Sequence, residues 1–364
     1  MFSKRHSTIT KGILIILMLA HHVFSPDLLT LYEVKTLLHN PATVTQIVTF
    51  FKICVPGFSF ISAFGITRAF QNRTLQNPAE GISVILKRLI KLESAVIIIY
   101  LLAVLYKQFV MRQSVAVHYA EADMGIAHIL LCMFIDGLGL ATYMGITPVN
   151  MTWWYLSYAI LLITVMPFVY KAYEKYRYLL LPAACMIPLV IPGVRIEFWC
   201  YLPTVFLGCA FAYENWFERL LEWKRGNKLI KAGKFLACLL LLYLSYLLSK
   251  YTALEFSYLF VFVIPYMVYE FIDSIPVLNH CLEFLGKYAT DIFLIHTFIY
   301  YYFYPEFIYS FQSTWKILPV LLFLCLIISV LIELIKKYAG YNRLTEKLLH
   351  MVENRLLPGN SPSL

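Results

Sequence analysis

Lys11 and His22 are separated by ten residues, Gly-Ile-Leu-Ile-Ile-Leu-Met-Leu-Ala-His, and only the last of these is ionisable. At 100° and 1.5 Å per residue, a helix returns His22 to within about 20° of Lys11, about 16 Å further along the axis. His21 is turned about 100° from that face. A cation at the mouth of an apolar helix suits an anionic carrier, since basic side chains give charge-assisted hydrogen bonds to phosphate. An imidazole deep in the same helix suits proton transfer, because histidine is the only side chain that ordinarily titrates near neutrality. Burial favours the uncharged ring, the form that accepts a proton. Ionisable groups in hydrocarbon cost about 3 kcal/mol or more, so their presence there points to function. The expectation is therefore His22 as general base, with transient covalent modification of its ring as the other use. His21 is the competing base, unless it bonds to a neighbouring helix or orients His22. The bland alternative is a neutral His22 hydrogen-bonded to a neighbouring helix.

The surroundings define the class. The chain has 364 residues, of which 60% are hydrophobic and only 14% charged. Soluble domains carry about 25% charged residues, and several runs here approach the roughly 20 apolar residues needed to cross hydrocarbon. The expected fold is all-α, a polytopic integral membrane protein of about ten transmembrane helices. They are placed at Gly12–Leu31, Val44–Ile66, Ser94–Met111, Met151–Tyr170, Tyr178–Ile191, Phe198–Tyr213, Phe235–Leu248, Tyr258–Phe271, Phe284–Phe303 and Ile317–Ile335. A β-barrel is excluded, because its segments alternate over about ten residues instead of forming continuous apolar blocks. Lys4 and Arg5 precede the first run, but no small-x-small cleavage site follows, so this is an uncleaved first span. The net charge of +9 does not indicate nucleic acid. The basic residues concentrate in short segments between spans, as the positive-inside rule requires, and put both termini in the cytosol. Eight cysteines form no CxxC pair and mostly lie in apolar runs. They read as packing residues, with no disulfide framework and no metal site.

Three regions follow: a cytosolic N-terminal arm over 1–11, a ten-helix membrane domain over 12–335, and a cytosolic tail over 336–364. Polar and apolar residues alternate at helical spacing in the tail, which suggests an interfacial helix, with a disordered end at Pro-Gly-Asn-Ser-Pro-Ser. The longest external segment, from about Arg112 to Asn150, contains Glu121, Asp123 and Asp136. Its seven-residue apolar stretch Ile129–Ile135 is too short to cross, so it reads as interfacial or re-entrant.

Several motifs together resemble the acyltransferase 3 family, multi-spanning bacterial enzymes that acylate surface glycans and related acceptors. Lys11…His22 is similar to the family's basic-x10-His pattern, with Lys where Arg is usual. The run Lys52-Ile-Cys-Val-Pro-Gly-Phe-Ser-Phe-Ile-Ser62-Ala-Phe-Gly65 resembles its FxFxSGFG segment. Arg88-Leu-Ile-Lys91 resembles its R-x-x-R, Trp153-Trp154-Tyr155-Leu156 its WWYL, and Leu285 through His296 its LGxxSxxxYLxH, with Ala289 at the usual serine. Phe206-Leu-Gly208 also fits. The resemblance runs from about Thr10 to Leu334. It implies a membrane O-acyltransferase, an O-acetyltransferase in the first instance, of a bacterial cytoplasmic membrane. The donor would be acyl-CoA and the acceptor a hydroxyl of a polysaccharide or lipid-linked glycan, with no bound cofactor.

On that reading Lys11, Arg88 and Lys91 hold the coenzyme A phosphates and direct the thioester toward His22, although positive-inside topology or anionic lipid also accounts for such residues. Ser62 contacts the donor or bonds across helices. Asp27, Lys52, Trp153, Trp154 and His296 are acceptor-side candidates. Asp27 would orient an acceptor hydroxyl or a histidine, with Pro26 leaving its direction open. The others have ordinary alternatives: snorkelling for Lys52, an aromatic belt for the two tryptophans, and packing for His296. Asp291 and His296, five residues apart, are about 140° out of phase and form no dyad on one helix. The rival from another class is a proton-coupled transporter or exporter of a glycan or small solute, using the same histidine, lysine and aspartate as a relay. The halves show no clear pairing of the transporter kind. A silent scaffold of a glycan-assembly complex is the third reading.

Overall fold

The computed structural model describes residues 1–38, 40–72, 78–120, 125–190, 197–251 and 257–357. Glu121, Asp123 and the Pro-Gly-Asn-Ser-Pro-Ser end lie outside them. The described residues are predominantly helical, and their only extended pairing is an isolated bridge between Lys35 and Ser313. Five helical stretches are long and apolar enough to cross a membrane: Pro41–Gln71, Pro78–Val110, Met151–Ile187, Lys228–Tyr251 and Thr314–Tyr338. The protein is thus a polytopic, all-helical membrane protein.

These stretches take in four of the ten expected spans in full and a fifth, Ser94–Met111, but for its last residue, and the other five show where hydropathy and helix geometry diverge. The first helix covers Lys4–Val23, not Gly12–Leu31. Ser3 caps it, and the chain breaks at Ser25-Pro26, since proline has no N–H and keeps the preceding residue extended. The expected N-terminal arm is therefore largely helix, and His21 and His22 lie in the last turn instead of mid-helix. The Tyr178–Ile191 span begins in the tail of Met151–Ile187 and contains the short helix Leu180–Val190. The Phe198–Tyr213 span is the helix Glu197–Tyr213. The Tyr258–Phe271 span is a 3-10 turn plus Val263–Glu270, a helix of about 12 Å. The ninth is divided at Tyr288 into Pro276–Lys287 and Ala289–Thr297, then a π-helical turn at Phe298–Phe303.

The chain forms two compact units. The first comprises Met1–Thr74, Val165–Ala289 and Gln312–Leu318. Its helices approach closely at glycines. A Cβ on Gly12 would overlap the Leu282 carbonyl, and one on Gly286 would overlap that of Thr8, so the first helix and Pro276–Lys287 touch backbone to backbone. Gly208 does the same against the Phe60 carbonyl, which a Cβ would meet at 2.6 Å. Small residues permit such approaches where no hydrophobic effect drives apolar helices together. The second unit comprises Leu75–Thr164, Thr290–Phe311 and Pro319–Leu364. Within it the tail helix Tyr341–Leu356 lies on Pro78–Leu105, with Lys87 paired to Glu353 at 2.7 Å. The helix Ile126–Gly137 is about 18 Å long, too short to cross.

Candidate functional site

The first helix carries both residues of the leading motif and is held along its length. At its start, Ser3 and His6 form a reciprocal cap: the Ser3 side chain accepts from His6 N–H, and His6 Nδ1 accepts from Ser3 N–H at 2.8 Å. The same imidazole presents Nε2 to Asp273 at 3.5 Å, and burial pushes its pKa below the ordinary histidine value against the pull of that carboxylate. Arg5 bridges Asp273 at 2.6 Å and Glu283 at 3.0 Å. Phe2 is buried against Phe64, Phe217 and Tyr269, while its N–H donates to Glu218 at 2.9 Å.

Between Lys11 and His22, the residues on the same face are Ile15 and Met18, both within about 40° of Lys11. They are 0% and 4% exposed. The face joining cation and imidazole is thus covered by protein and does not look into lipid, while Lys11 and His22 themselves are half-buried. His21 is fixed independently. Its Nδ1–H donates to the Val48 carbonyl at 2.8 Å, which leaves Nε2 as the lone-pair nitrogen. The two rings sit 5.0 Å apart.

The other candidates separate into those the structure leaves accessible and those it encloses. Lys52 is half-buried in the 3-10 turn Phe51–Ile53, and Ser62 is half-buried in Cys54–Gln71. Asp27 is exposed in the first turn of Pro26–Leu31, where a carboxylate favours the helix start. These three, with Lys11, His21 and His22, belong to the first unit; Arg88 and Lys91 belong to the second. Arg88 and Lys91 were expected in a connecting segment ahead of the third span. They lie instead inside the helix Pro78–Leu105, Arg88 about 15 Å from its start. No breaker occurs between them and the apolar run, and leucine, lysine and arginine are all good helix formers. Arg88 is half-buried and makes no hydrogen bond or ion pair among the described residues, whereas Lys91 is exposed.

Trp153 and His296 are core residues. Trp153 is buried, with its indole N–H donating to the Leu294 carbonyl at 3.2 Å, so it offers no face to a sugar and does not sit in an interfacial belt. Trp154, one residue on, is half-buried against Tyr155. His296 is 0% exposed; its Nδ1–H donates to Phe293 O at 2.7 Å, and Nε2 lies 3.1 Å from the Thr297 hydroxyl. Both ring nitrogens are thereby engaged within the fold. Asp291 is also buried, bonded to Lys336 at 3.4 Å.

Sequence reasoning did not single out Asp136 as a junction. It is fully buried, and one carboxylate oxygen accepts from the Tyr119 hydroxyl at 2.6 Å and Val149 N–H at 2.7 Å, tying together the segment between Arg112 and Asn150. Nor did it single out Asn150, whose side chain caps the turn before Trp154 and donates to Leu294 O at 3.4 Å. The signal for Asn150 was present: Asn directly ahead of a helical run is a preferred N-cap. Among the described residues, no group of three or more His, Cys, Asp or Glu side chains could hold a metal ion.

A family model described as an acyltransferase domain matches residues 8–334, nearly the whole chain. The chain belongs to the acyltransferase 3 family. It is a membrane acyltransferase, which decides against the transporter and scaffold readings. Comparison with curated proteins and with solved structures gives no match. The matched region starts within the first helix and ends on Leu334, so it takes in Lys11, His22, the glycine contacts and the Leu285–His296 segment, and stops short of the tail helix.

Proposed function

We propose that this membrane acyltransferase transfers an acyl group, acetyl in the first instance, from acyl-CoA to a hydroxyl of a surface polysaccharide or lipid-linked glycan in a bacterial cytoplasmic membrane. His22 takes the proton from the acceptor hydroxyl. The oxygen attacks the thioester carbonyl, the C–O bond forms, the C–S bond breaks, and the leaving thiolate takes up a proton to give free CoA. Lys11 binds a phosphate of the donor, and Ser62 lies beside the donor. Asp27, Lys52 and Trp154 are the acceptor-side residues with exposed or half-exposed side chains.

The observation that supports this reading is the protein-covered face between Lys11 and His22, with Ile15 and Met18 buried between them. Such a face gives the shielded setting in which proximity and exclusion of water assist transfer over hydrolysis. The bond from His21 to Val48 supports one second assignment, His21 as the base, because it leaves that ring's Nε2 free to accept a proton. The deciding experiment is mass spectrometry of cell-surface glycans from cells expressing wild type, His22→Ala or His21→Ala at equal membrane abundance. A mass difference of one acyl group lost only in His22→Ala is expected, with CoA release by the purified protein falling by about 10²–10⁴-fold, the usual contribution of a positioned base. Full acylation in His22→Ala overturns the assignment.

A further inference from the structure

The tail helix Tyr341–Leu356 lies beyond the family match, and the function proposed above does not use it. It has two apolar faces. Around the axis, Tyr341, Thr345, Leu349, Val352 and Leu356 fall within about 80° of one another, and all are partly covered. This face rests on Pro78–Leu105, where Glu353 is bonded to Lys87. The second face consists of Leu344, Leu348 and Met351, which are 54%, 40% and 48% exposed. These three lie within about 60° of one another, roughly a quarter-turn from the packed face.

Charge is segregated around the second face. Arg355 lies within about 15° of its centre, Lys347 about 70° away and Arg343 about 110° away. All three are exposed, and none forms an ion pair among the described residues. The acids Glu346 and Glu353 fall about 170° from the same centre, on the far side of the helix. An apolar stripe bordered by unpaired cations, with the carboxylates turned away, is complementary to a surface that is negative outside and hydrocarbon just beneath. A protein groove offering that combination would need its own acidic rim; the headgroup layer of an anionic bilayer supplies it directly.

We propose that the Leu344–Leu348–Met351 face of this helix lies on the anionic phospholipid surface of the membrane in which the protein is embedded. Arg343, Lys347 and Arg355 hold the headgroups, while the opposite contact with Pro78–Leu105 keeps the helix beside the membrane domain. Attachment is then a function of lipid charge, each cation contributing about fivefold to the preference for the anionic surface.

The test is amide hydrogen exchange over residues 341–356 of the full chain in nanodiscs. One set contains phosphatidylglycerol and phosphatidylcholine, the other phosphatidylcholine alone. Exchange at least tenfold slower in the anionic discs is expected. High salt should abolish the difference, and so should the triple variant Arg343→Gln, Lys347→Gln, Arg355→Gln. The variant Leu344→Ser, Leu348→Ser, Met351→Ser should lose the protection while keeping the Lys87–Glu353 side intact. Equal exchange of wild-type protein in the two lipids overturns the proposal without relying on any variant. Protection that survives the triple charge variant, or that appears only with two copies per disc, overturns it in favour of a protein-covered face.

Discussion

Replacing Gly286 with alanine tests whether the first helix is held in place by backbone contact. Gly286 is not one of the candidate site residues, yet its missing side chain lets Pro276–Lys287 sit directly on the carbonyl of Thr8, one turn before Lys11. The added Cβ would overlap that carbonyl, and a carbonyl inside a helix cannot rotate aside. An ordinary Cβ contact begins at 3.4 Å, so the two helices must separate by roughly 1 Å or more. Overpacking of this kind costs about 1–3 kcal/mol. Misplacement of a catalytic group by about 1 Å costs about 10²-fold in rate, so loss of acyl transfer should exceed what loss of folded protein explains. Two other glycines act as controls. A Cβ on Gly57 meets the end of the Leu14 side chain at 2.5 Å, which a rotamer change relieves, so Gly57→Ala should cost under about 1 kcal/mol. Gly233 has open space around it, and Gly233→Ala should be neutral or stabilising by up to about 1 kcal/mol through helix propensity. Thermal unfolding in detergent, read beside CoA release at matched folded concentration, ranks the three. If Gly286→Ala matches Gly233→Ala in both measurements, backbone contact does not position the motif.

Two further outcomes follow from groups at the helix ends. His6 has a folded-state pKa below its ordinary value, so as pH falls through about 6.5 the unfolded chain takes up the proton first and stability is lost, until the folded His6 protonates in turn. Above that range His6 makes no pH-dependent contribution. Because its Nδ1 is the acceptor for Ser3 N–H, protonation also removes the cap, and the protection of amides at the start of the first helix, taken relative to unstructured exchange at the same pH, should fall on acidification in wild type but not in His6→Gln. Lys234, buried in Lys228–Tyr251, bonds Glu270 at 3.2 Å and the Leu220 carbonyl at 2.6 Å. Lys234→Met should destabilise by about 3–5 kcal/mol by stranding that carboxylate, and adding Glu270→Gln should recover part of the loss in the same unfolding measurement.

The fold class was legible in the sequence because apolar runs of membrane length are a property of composition. Helix limits were not, because hydropathy sees where a helix is greasy and not where its hydrogen bonding starts. Arg88 and Lys91 show this: charge placed them in a connection, yet the helix runs unbroken from Pro78 past both. Lys11 and His22 were legible as a pair because both lie on one helix, where spacing alone gives the angle. Trp153 was not, since a tryptophan in a belt and one in a core look alike until the partner, here Leu294 O, is known. Asp136 was hidden for the same reason: the groups that bond to its side chain, Tyr119 and Val149, reach it through the folding of a long segment.

The shift of the first helix toward the N-terminus strengthens the case for a histidine base. In a span running to Leu31, His22 would sit beside carbonyls already bonded along the helix. With the helix ending at Val23, both histidines occupy the last turn, where the carbonyl ends of the peptide dipoles accumulate. The Phe24 N–H donates to the Ala20 carbonyl at 3.2 Å and the Ser25 N–H to the His22 carbonyl at 3.4 Å, and the bonding of the first helix ends there. Partial negative charge there favours cations by about 0.3–1 kcal/mol at exposed sites and up to about 2 where the surroundings are partly buried. A base that receives a proton from an acceptor hydroxyl develops positive charge as the bond to the thioester carbonyl forms, and that charge appears where the helix already favours it. The break at Ser25-Pro26 thus has a chemical consequence as well as a topological one. Extending the helix through that point, by replacing Ser25-Pro26 with two alanines, moves the helix C-terminus away from both imidazoles while leaving them in the chain.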